Sequence, residues 1–91
     1  MSQKRKYHIT KQFLKKFNFE YDKRYDAWFR EIWYKRKYGS TMFKYDFNTS
    51  TLSTWDRDHF GSVSKLYEYG PDREEDAYLC IKETMRRWDV Y

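Results

Sequence analysis

The chain has 91 residues, a formal net charge of +5 and a single cysteine. This length suffices for one domain without a disulfide framework, and no apolar stretch approaches the roughly 20 residues that a transmembrane helix needs. The first nine residues are basic but lack the apolar run of a secretory signal, so we expect an intracellular protein with no membrane association.

Aromatic side chains dominate the apolar content. The chain has 4 Trp, 10 Tyr and 7 Phe, so the core must be largely aromatic. Tyr and Trp carry a polar atom that has to be paired or hydrated, and many of them should therefore lie at the edge of the core. Surface aromatics beside Lys and Arg are typical of base stacking and of protein interfaces.

The charge is divided unevenly along the chain. Residues 1 to 45 carry 13 Lys and Arg against 4 Asp and Glu, whereas residues 46 to 91 carry 6 against 10. This division favours one basic face for polyanions and a second face that avoids them or meets a basic partner.

The chain begins with a predicted flexible basic arm, residues 1 to 8, in front of a single domain over residues 9 to 91. The arm contains three consecutive cations that can contact phosphates, Lys4, Arg5 and Lys6. A short helix is predicted next, with Thr10 as its N-cap and with Phe13, Leu14 and Phe17 on one side. The opposite side carries two further candidate phosphate contacts, Lys15 and Lys16.

The segment from residue 21 to residue 37 fits either a helix or a strand. A helix gathers its apolar residues into one stripe: Tyr21, Tyr25, Trp28, Phe29 and Ile32. A strand would place Glu31 on the face of Phe29 and Trp33, and would bury that carboxylate. We therefore predict a helix that ends at Gly39 in a left-handed conformation. It presents the densest basic and aromatic cluster of the chain, Trp33, Tyr34, Lys35, Arg36, Lys37 and Tyr38.

Three later segments are predicted strands. Residues 41 to 47 alternate, with four residues on one face, Thr41, Phe43, Tyr45 and Phe47. Residues 51 to 55 follow a turn-forming segment and should return as the second strand of a hairpin. Residues 62 to 69 should form the third strand.

The last segment is predicted to be a helix that begins after Gly70-Pro71 and runs towards Trp88. Asp72 as the N-cap and Glu75 three residues later match a capping box. Its apolar face would consist of Ala77, Tyr78, Ile81, Met85 and Trp88. We therefore predict an α+β fold, in which a small three-stranded antiparallel sheet packs against helices in the order α-α-β-β-β-α.

Candidate catalytic chemistry is sparse. Asp56, Asp58 and His59 lie close together in a loop and, with Glu68, could bind a divalent metal as a nuclease does. However, loops attract Asp for turn chemistry, and the spacing is unspecific. No phosphate-binding glycine loop or paired-cysteine motif is present. We predict a protein that is not an enzyme and has no cofactor and no metal.

Two functions fit these features. In the first, the basic N-terminal half binds DNA or RNA through phosphate contacts and stacking side chains. The predicted contacts are Lys4, Arg5, Lys6, Lys15, Lys16, Arg30, Trp33, Tyr34, Lys35, Arg36, Lys37 and Tyr38. In the second, the chain is an inhibitor or adaptor that blocks a protein of a nucleic-acid machine. That partner would meet exposed aromatics, Arg and an acidic patch, Glu74, Glu75 and Asp76.

Overall fold

The computed structural model describes residues 7–34, 39–58 and 60–89, except for the side chains of residues 88 and 89. Within these residues a short helix is followed by five strands and a second helix. The elements are α1 (Lys11–Lys16), β1 (Glu20–Asp22), β2 (Ala27–Trp33), β3 (Ser40–Asp46), β4 (Thr51–Arg57), β5 (Val63–Tyr69) and α2 (Glu74–Thr84). A 3₁₀ turn, Pro71–Arg73, precedes α2, and a π-helical segment, Met85–Asp89, continues it.

The five strands form one antiparallel sheet in chain order, β1-β2-β3-β4-β5. Each strand pairs with the strand that follows it in the sequence, and β1 and β5 are therefore the two edge strands of the sheet. The β1–β2 turn is built by Asp22, whose Oδ1 accepts the Arg24 N–H at 2.9 Å, and by Asp26, which adopts a φ of 50°. Asp tolerates both roles, since its short side chain bonds to nearby backbone.

The predicted three-stranded sheet and the predicted helix over residues 21 to 37 are therefore wrong. Residues 20 to 33 form β1, a turn and β2 instead, which gives five strands and the order α-β-β-β-β-β-α, and residues 35 to 37 lie outside the described residues. The helix was predicted on the argument that a strand would bury Glu31. In the structure, Glu31 lies on a sheet face that neither described helix covers, where it receives a hydrogen bond from Ser40 and approaches Arg57.

Both helices pack on the same face of the sheet. Residues directly opposite one another in neighbouring strands share a face, and Trp28, Tyr45 and Leu52 form one such row. The core joins these side chains to both helices and comprises Ile9, Leu14, Phe19, Trp28, Ile32, Phe43, Tyr45, Leu52, Ala77, Ile81 and Met85. The helices also meet each other, because the Phe13 and Tyr78 rings stack with centroids 4.2 Å apart.

Several local predictions are confirmed. Thr10 caps α1 by accepting the Phe13 N–H at 3.1 Å. The strands predicted at residues 41 to 47, 51 to 55 and 62 to 69 correspond to β3, β4 and β5. The apolar stripe of α2 is buried at Ala77, Ile81 and Met85. The Trp88 side chain lies outside the described residues.

The capping box predicted at Asp72 and Glu75 is wrong. Pro71 starts a 3₁₀ turn, so Asp72 lies inside that turn, and neither Gly70 nor Arg73 contributes a side-chain cap. Glu74 instead connects the start of α2 to the chain before α1. Its Oε2 accepts the Ile9 N–H at 2.9 Å and lies 2.8 Å from His8 Nδ1.

Gly39 permits a close approach of two strands. Its φ is 121°, which is the positive value expected there, although it precedes a strand and does not end a helix. A Cβ at this position would lie 2.4 Å from the Arg57 carbonyl oxygen. Backbone atoms cannot yield as a flexible side chain would. The β3–β4 pairing at this end of the sheet therefore requires glycine.

We expect Gly39→Ala to destabilise the fold more than Gly61→Ala, as measured by urea unfolding. Gly61 also has a positive φ, of 89°, but its Cβ would meet nothing within 4 Å. Gly61→Ala should therefore cost only the backbone strain, about 1 to 2 kcal/mol. Gly39→Ala adds a steric clash and should cost about 1 to 3 kcal/mol more. Equal unfolding free energies for the two variants would contradict this account.

Candidate nucleic-acid interface

The sheet face opposite the helices carries a row of side chains at the end where β2 leaves the sheet. The register places Trp33, Ser40, Arg57 and Val63 side by side across four strands. The next row on the same face contains Glu31, Met42, Trp55 and Lys65. Phe29 and Lys44 follow in the third row. We call the ten side chains of these three rows the open face: Phe29, Glu31, Trp33, Ser40, Met42, Lys44, Trp55, Arg57, Val63 and Lys65.

Arg57 makes contacts with both of the first two rows of the open face. Its guanidinium carbon lies 5.9 Å from the centroid of the Trp33 ring, and its Nη2 contacts Met42 Sδ at 3.5 Å. Its Nε lies 3.5 Å from Glu31 Oε2 but is buried without a hydrogen bond in the described part of the chain. Ser40 donates to the same Glu31 oxygen at 2.5 Å. These contacts fix a cation beside an indole ring that is 57% exposed.

The remaining charges of the open face are nearly balanced. Lys65 pairs with Glu68 at 2.8 Å, and both side chains are about half exposed. Arg57 approaches Glu31, whereas Lys44 has no ion-pair partner within 4.0 Å among the described residues. Exposed ion pairs of this kind contribute little and exchange partners at low cost. The open face therefore offers aromatic surfaces with cations beside them, and has no strong net charge.

Of the predicted nucleic-acid contacts, Trp33 lies on the open face. Tyr34 points to the other side of the sheet, where its hydroxyl lies 2.5 Å from Thr41 Oγ1 and donates to Asp56 Oδ1 at 2.6 Å. Burial and the hydrogen bond to Asp56 raise the pKa of Tyr34. This tyrosine thus connects β2, β3 and β4, and the structure accounts for it as a structural residue.

Arg30 also has a position within the fold. Its Nε donates to the Phe17 carbonyl at 3.1 Å, and its Nη1 donates to the Glu31 carbonyl at 3.0 Å. Phe17 is the C-cap of α1, where backbone carbonyls lack partners within the helix. Arg30 therefore attaches the end of α1 to β2.

The other predicted cations do not lie on the open face or are not described. Lys15 and Lys16 are exposed on α1, on the helix side of the sheet. The remaining predicted contacts lie outside the described residues: Lys4, Arg5, Lys6, Lys35, Arg36, Lys37 and Tyr38. Of the predicted arm, Tyr7 and His8 are described, and both contact α2 residues, Tyr78 and Glu74 respectively.

Two of the three carboxylates of the predicted acidic patch have bonding partners within the protein. Glu74 bonds to His8 and Ile9, and Asp76 pairs with Arg73 at 2.5 Å. Glu75 is exposed. The patch therefore serves first to hold the start of α2.

The acidic loop after β4 is organised by turn chemistry. Asp58 Oδ1 accepts the N–H groups of Phe60 and Ser62, at 2.9 and 3.0 Å. Asp56 was predicted to lie in this loop but belongs to β4, where it accepts the Tyr34 hydroxyl. His59 lies outside the described residues. Among those that are described, no group of three His, Cys, Asp or Glu side chains could hold a metal ion.

Most of the open face was missed by the sequence analysis: Phe29, Met42, Lys44, Trp55, Arg57 and Lys65. The signal that could have found part of it was the alternation of residues 41 to 47, which assigns Met42 and Lys44 to the side away from the core. Trp55 and Arg57 then follow from the pairing of β3 with β4.

Comparison with known proteins adds no assignment, because no family model, curated protein or solved structure matches the chain. None of the helices in the described ranges has the length and apolar character that would let it cross a membrane. The function must therefore be argued from the open face itself.

We expect Arg30→Lys to lower stability and to leave nucleic-acid binding unchanged. Lysine keeps the charge but cannot reproduce two hydrogen bonds from one planar group. Hydrogen bonds from a charged group contribute about 1.5 to 3 kcal/mol, so the loss in unfolding free energy should be about 1 to 3 kcal/mol. Arg24→Lys is the control, because the Arg24 side chain is 81% exposed and solvent screens its ion pair with Asp22, so the change should have little effect on stability. An Arg30→Lys protein with full stability would contradict the structural role.

Proposed function

We propose that the protein is a non-catalytic binder of single-stranded nucleic acid, which it holds on the open face. The observation that supports this proposal is the arrangement of three aromatic side chains, Phe29, Trp33 and Trp55, on a sheet face that both described helices leave uncovered. Sheet faces with exposed aromatic rings bind single strands by stacking bases on them.

Stacking explains why single strands are favoured over a duplex. Bases in a duplex already stack on one another, whereas an unpaired base offers a free π-face to an indole or phenyl ring. Trp33 and Trp55 lie on β2 and β4 with β3 between them and in successive rows, so their Cα atoms are two strand spacings apart across the sheet and two residues apart along it, roughly 12 Å. Separate bases of one strand can therefore occupy the two rings.

Phosphate contacts on the open face would come from Arg57, Lys44 and Lys65. Arg57 can contact a phosphate while it remains stacked on Trp33, since its guanidinium carries five N–H groups. The sequence also connects Trp33 and Tyr34 directly to the predicted contacts Lys35, Arg36 and Lys37. Phosphate contacts of this kind position a strand without reading its sequence.

The alternative, a protein-binding inhibitor, has less support. Its predicted acidic patch includes Glu74 and Asp76, and both carboxylates have partners within the fold. Exposed aromatic residues favour protein interfaces as well as stacking. The two proposals differ in whether a defined oligonucleotide alone is sufficient for binding.

We expect Trp33→Ala to weaken single-strand binding and Tyr67→Ala to leave it unchanged. Base–aromatic stacking contributes about 1 to 3 kcal/mol, so the Kd for a short oligonucleotide should rise about 5- to 150-fold in Trp33→Ala. Tyr67 is a matched control, because it is 60% exposed on the same sheet but lies opposite Thr54 on the helix side. Fluorescence anisotropy with labelled DNA and RNA measures both variants.

Equal losses in the two variants, or no wild-type binding at physiological salt, would contradict the proposed function. In the second case, recovery of a stoichiometric protein from a nuclease-treated lysate, lost in Trp33→Ala, would favour the inhibitor alternative.

A further inference from the structure

We propose that a second site, on the opposite side of the sheet, binds one nucleoside phosphate. The site is a pocket of about 460 Å³ between α1, the β1–β2 hairpin and the β3–β4 turn. This volume is within the range of ligand clefts, roughly 300 to 1,000 Å³. The open face takes no part in it, so this inference stands independently of the proposed function.

The wall of the pocket is aromatic. Tyr21 and Trp28 lie side by side on β1 and β2, with ring centroids 5.5 Å apart, and Phe47 lies at the start of the β3–β4 turn. Trp28 is almost fully buried, whereas Tyr21 is about half exposed. A planar ligand can therefore enter against Tyr21 and rest on a fixed indole. Such surfaces accept a nucleobase whatever its identity.

The rim of the pocket is basic. Lys11 and Lys15 are four residues apart on α1 and so project from the same side of that helix. Neither has an ion pair within 4.0 Å in the part of the chain that the structure describes. The hydrogen bonds from Tyr21 and Asn48 lower the pKa of Asp26, and the charge of Lys11 adds a smaller effect in the same direction. Two ammonium groups without such partners, at the mouth of an aromatic pocket, match a phosphate group.

A carboxylate in the same pocket favours binding of a nucleotide over binding of an aromatic anion that has no hydrogen-bond donors. Asp26 is held in place because its two oxygens accept the Tyr21 hydroxyl, at 2.5 Å, and the Asn48 amide, at 2.8 Å. These hydrogen bonds keep its pKa low, so it is ionised at neutral pH. A carboxylate repels phosphate but accepts hydrogen bonds from ribose hydroxyls or base N–H groups through its remaining lone pairs. A nucleoside phosphate provides the ring, the donors and the anion together.

The phosphate could belong to a free nucleotide or to the end of a strand. The two sources share the same recognition chemistry. They differ in whether the nucleotide continues into a chain, so the experiment needs ligands of both kinds.

The test is calorimetric titration of the full chain with AMP, adenosine, inorganic phosphate, and a dinucleotide with and without a 5′-phosphate. We expect AMP to bind at least about tenfold more tightly than adenosine or phosphate, because a charge-assisted contact contributes about 1.5 to 3 kcal/mol. Lys15→Ala should remove most of this preference, because it should lower the affinity for AMP and leave the affinity for adenosine unchanged. Lys16→Ala is the matched control, since Lys16 is exposed on the same helix but does not line the pocket.

Preference for the 5′-phosphorylated dinucleotide over AMP would assign the site to strand ends, and the reverse would assign it to free nucleotides. Trp33→Ala should leave AMP binding unchanged, which separates this site from the open face. The inference is overturned if phosphate alone binds as tightly as the nucleotides, if neither AMP nor the 5′-phosphorylated dinucleotide binds, or if Lys15→Ala and Lys16→Ala have equal effects.

Discussion

The packing of both helices against one face of the sheet determines the rest of the structure. Phe13 of α1 stacks on Tyr78 of α2, and beneath this pair the two helices bury Phe43 at the centre of β3. Four of the eleven buried core residues are aromatic, Phe19, Trp28, Phe43 and Tyr45, and five further aromatic rings pack partly buried against this cluster. Because α1 and α2 lie on the same side, no described helix covers the other face, where Trp33 is 57% exposed and Phe29 and Trp55 are partly exposed.

The same constraint separates the basic residues into two groups. Arg57 and Lys44 lie on the open face, next to Trp33 and Phe29, whereas Lys11 and Lys15 lie on α1 across the sheet. Among the described residues, the basic side chains therefore lie on both sides of the sheet. Arg30, which the sequence suggested as a phosphate contact, instead attaches α1 to β2.

Local signals in the sequence were sufficient for much of the fold. The Thr10 cap, the alternation of β3 and the apolar stripe of α2 all depend on neighbouring residues and were predictable. The β1–β2 hairpin was not, since Tyr21, Trp28 and Ile32 satisfy a helical period as well as a strand. Only the tertiary arrangement decides between them, because it leaves Glu31 on an uncovered face. Trp33 could be identified from its basic neighbours, but Trp55 and Arg57 required the strand register.

The central claim is that single-stranded nucleic acid contacts the open face. Its most direct test is an NMR titration with an oligonucleotide that lacks terminal phosphates, followed through the indole N–H signals. The account predicts that the signals of Trp33 and Trp55 shift in proportion to binding, while that of Trp28, which is buried on the helix side of the sheet, stays unchanged. Shifts at Trp28 with none at Trp33 and Trp55 would place the bound strand on the helix side and contradict the account.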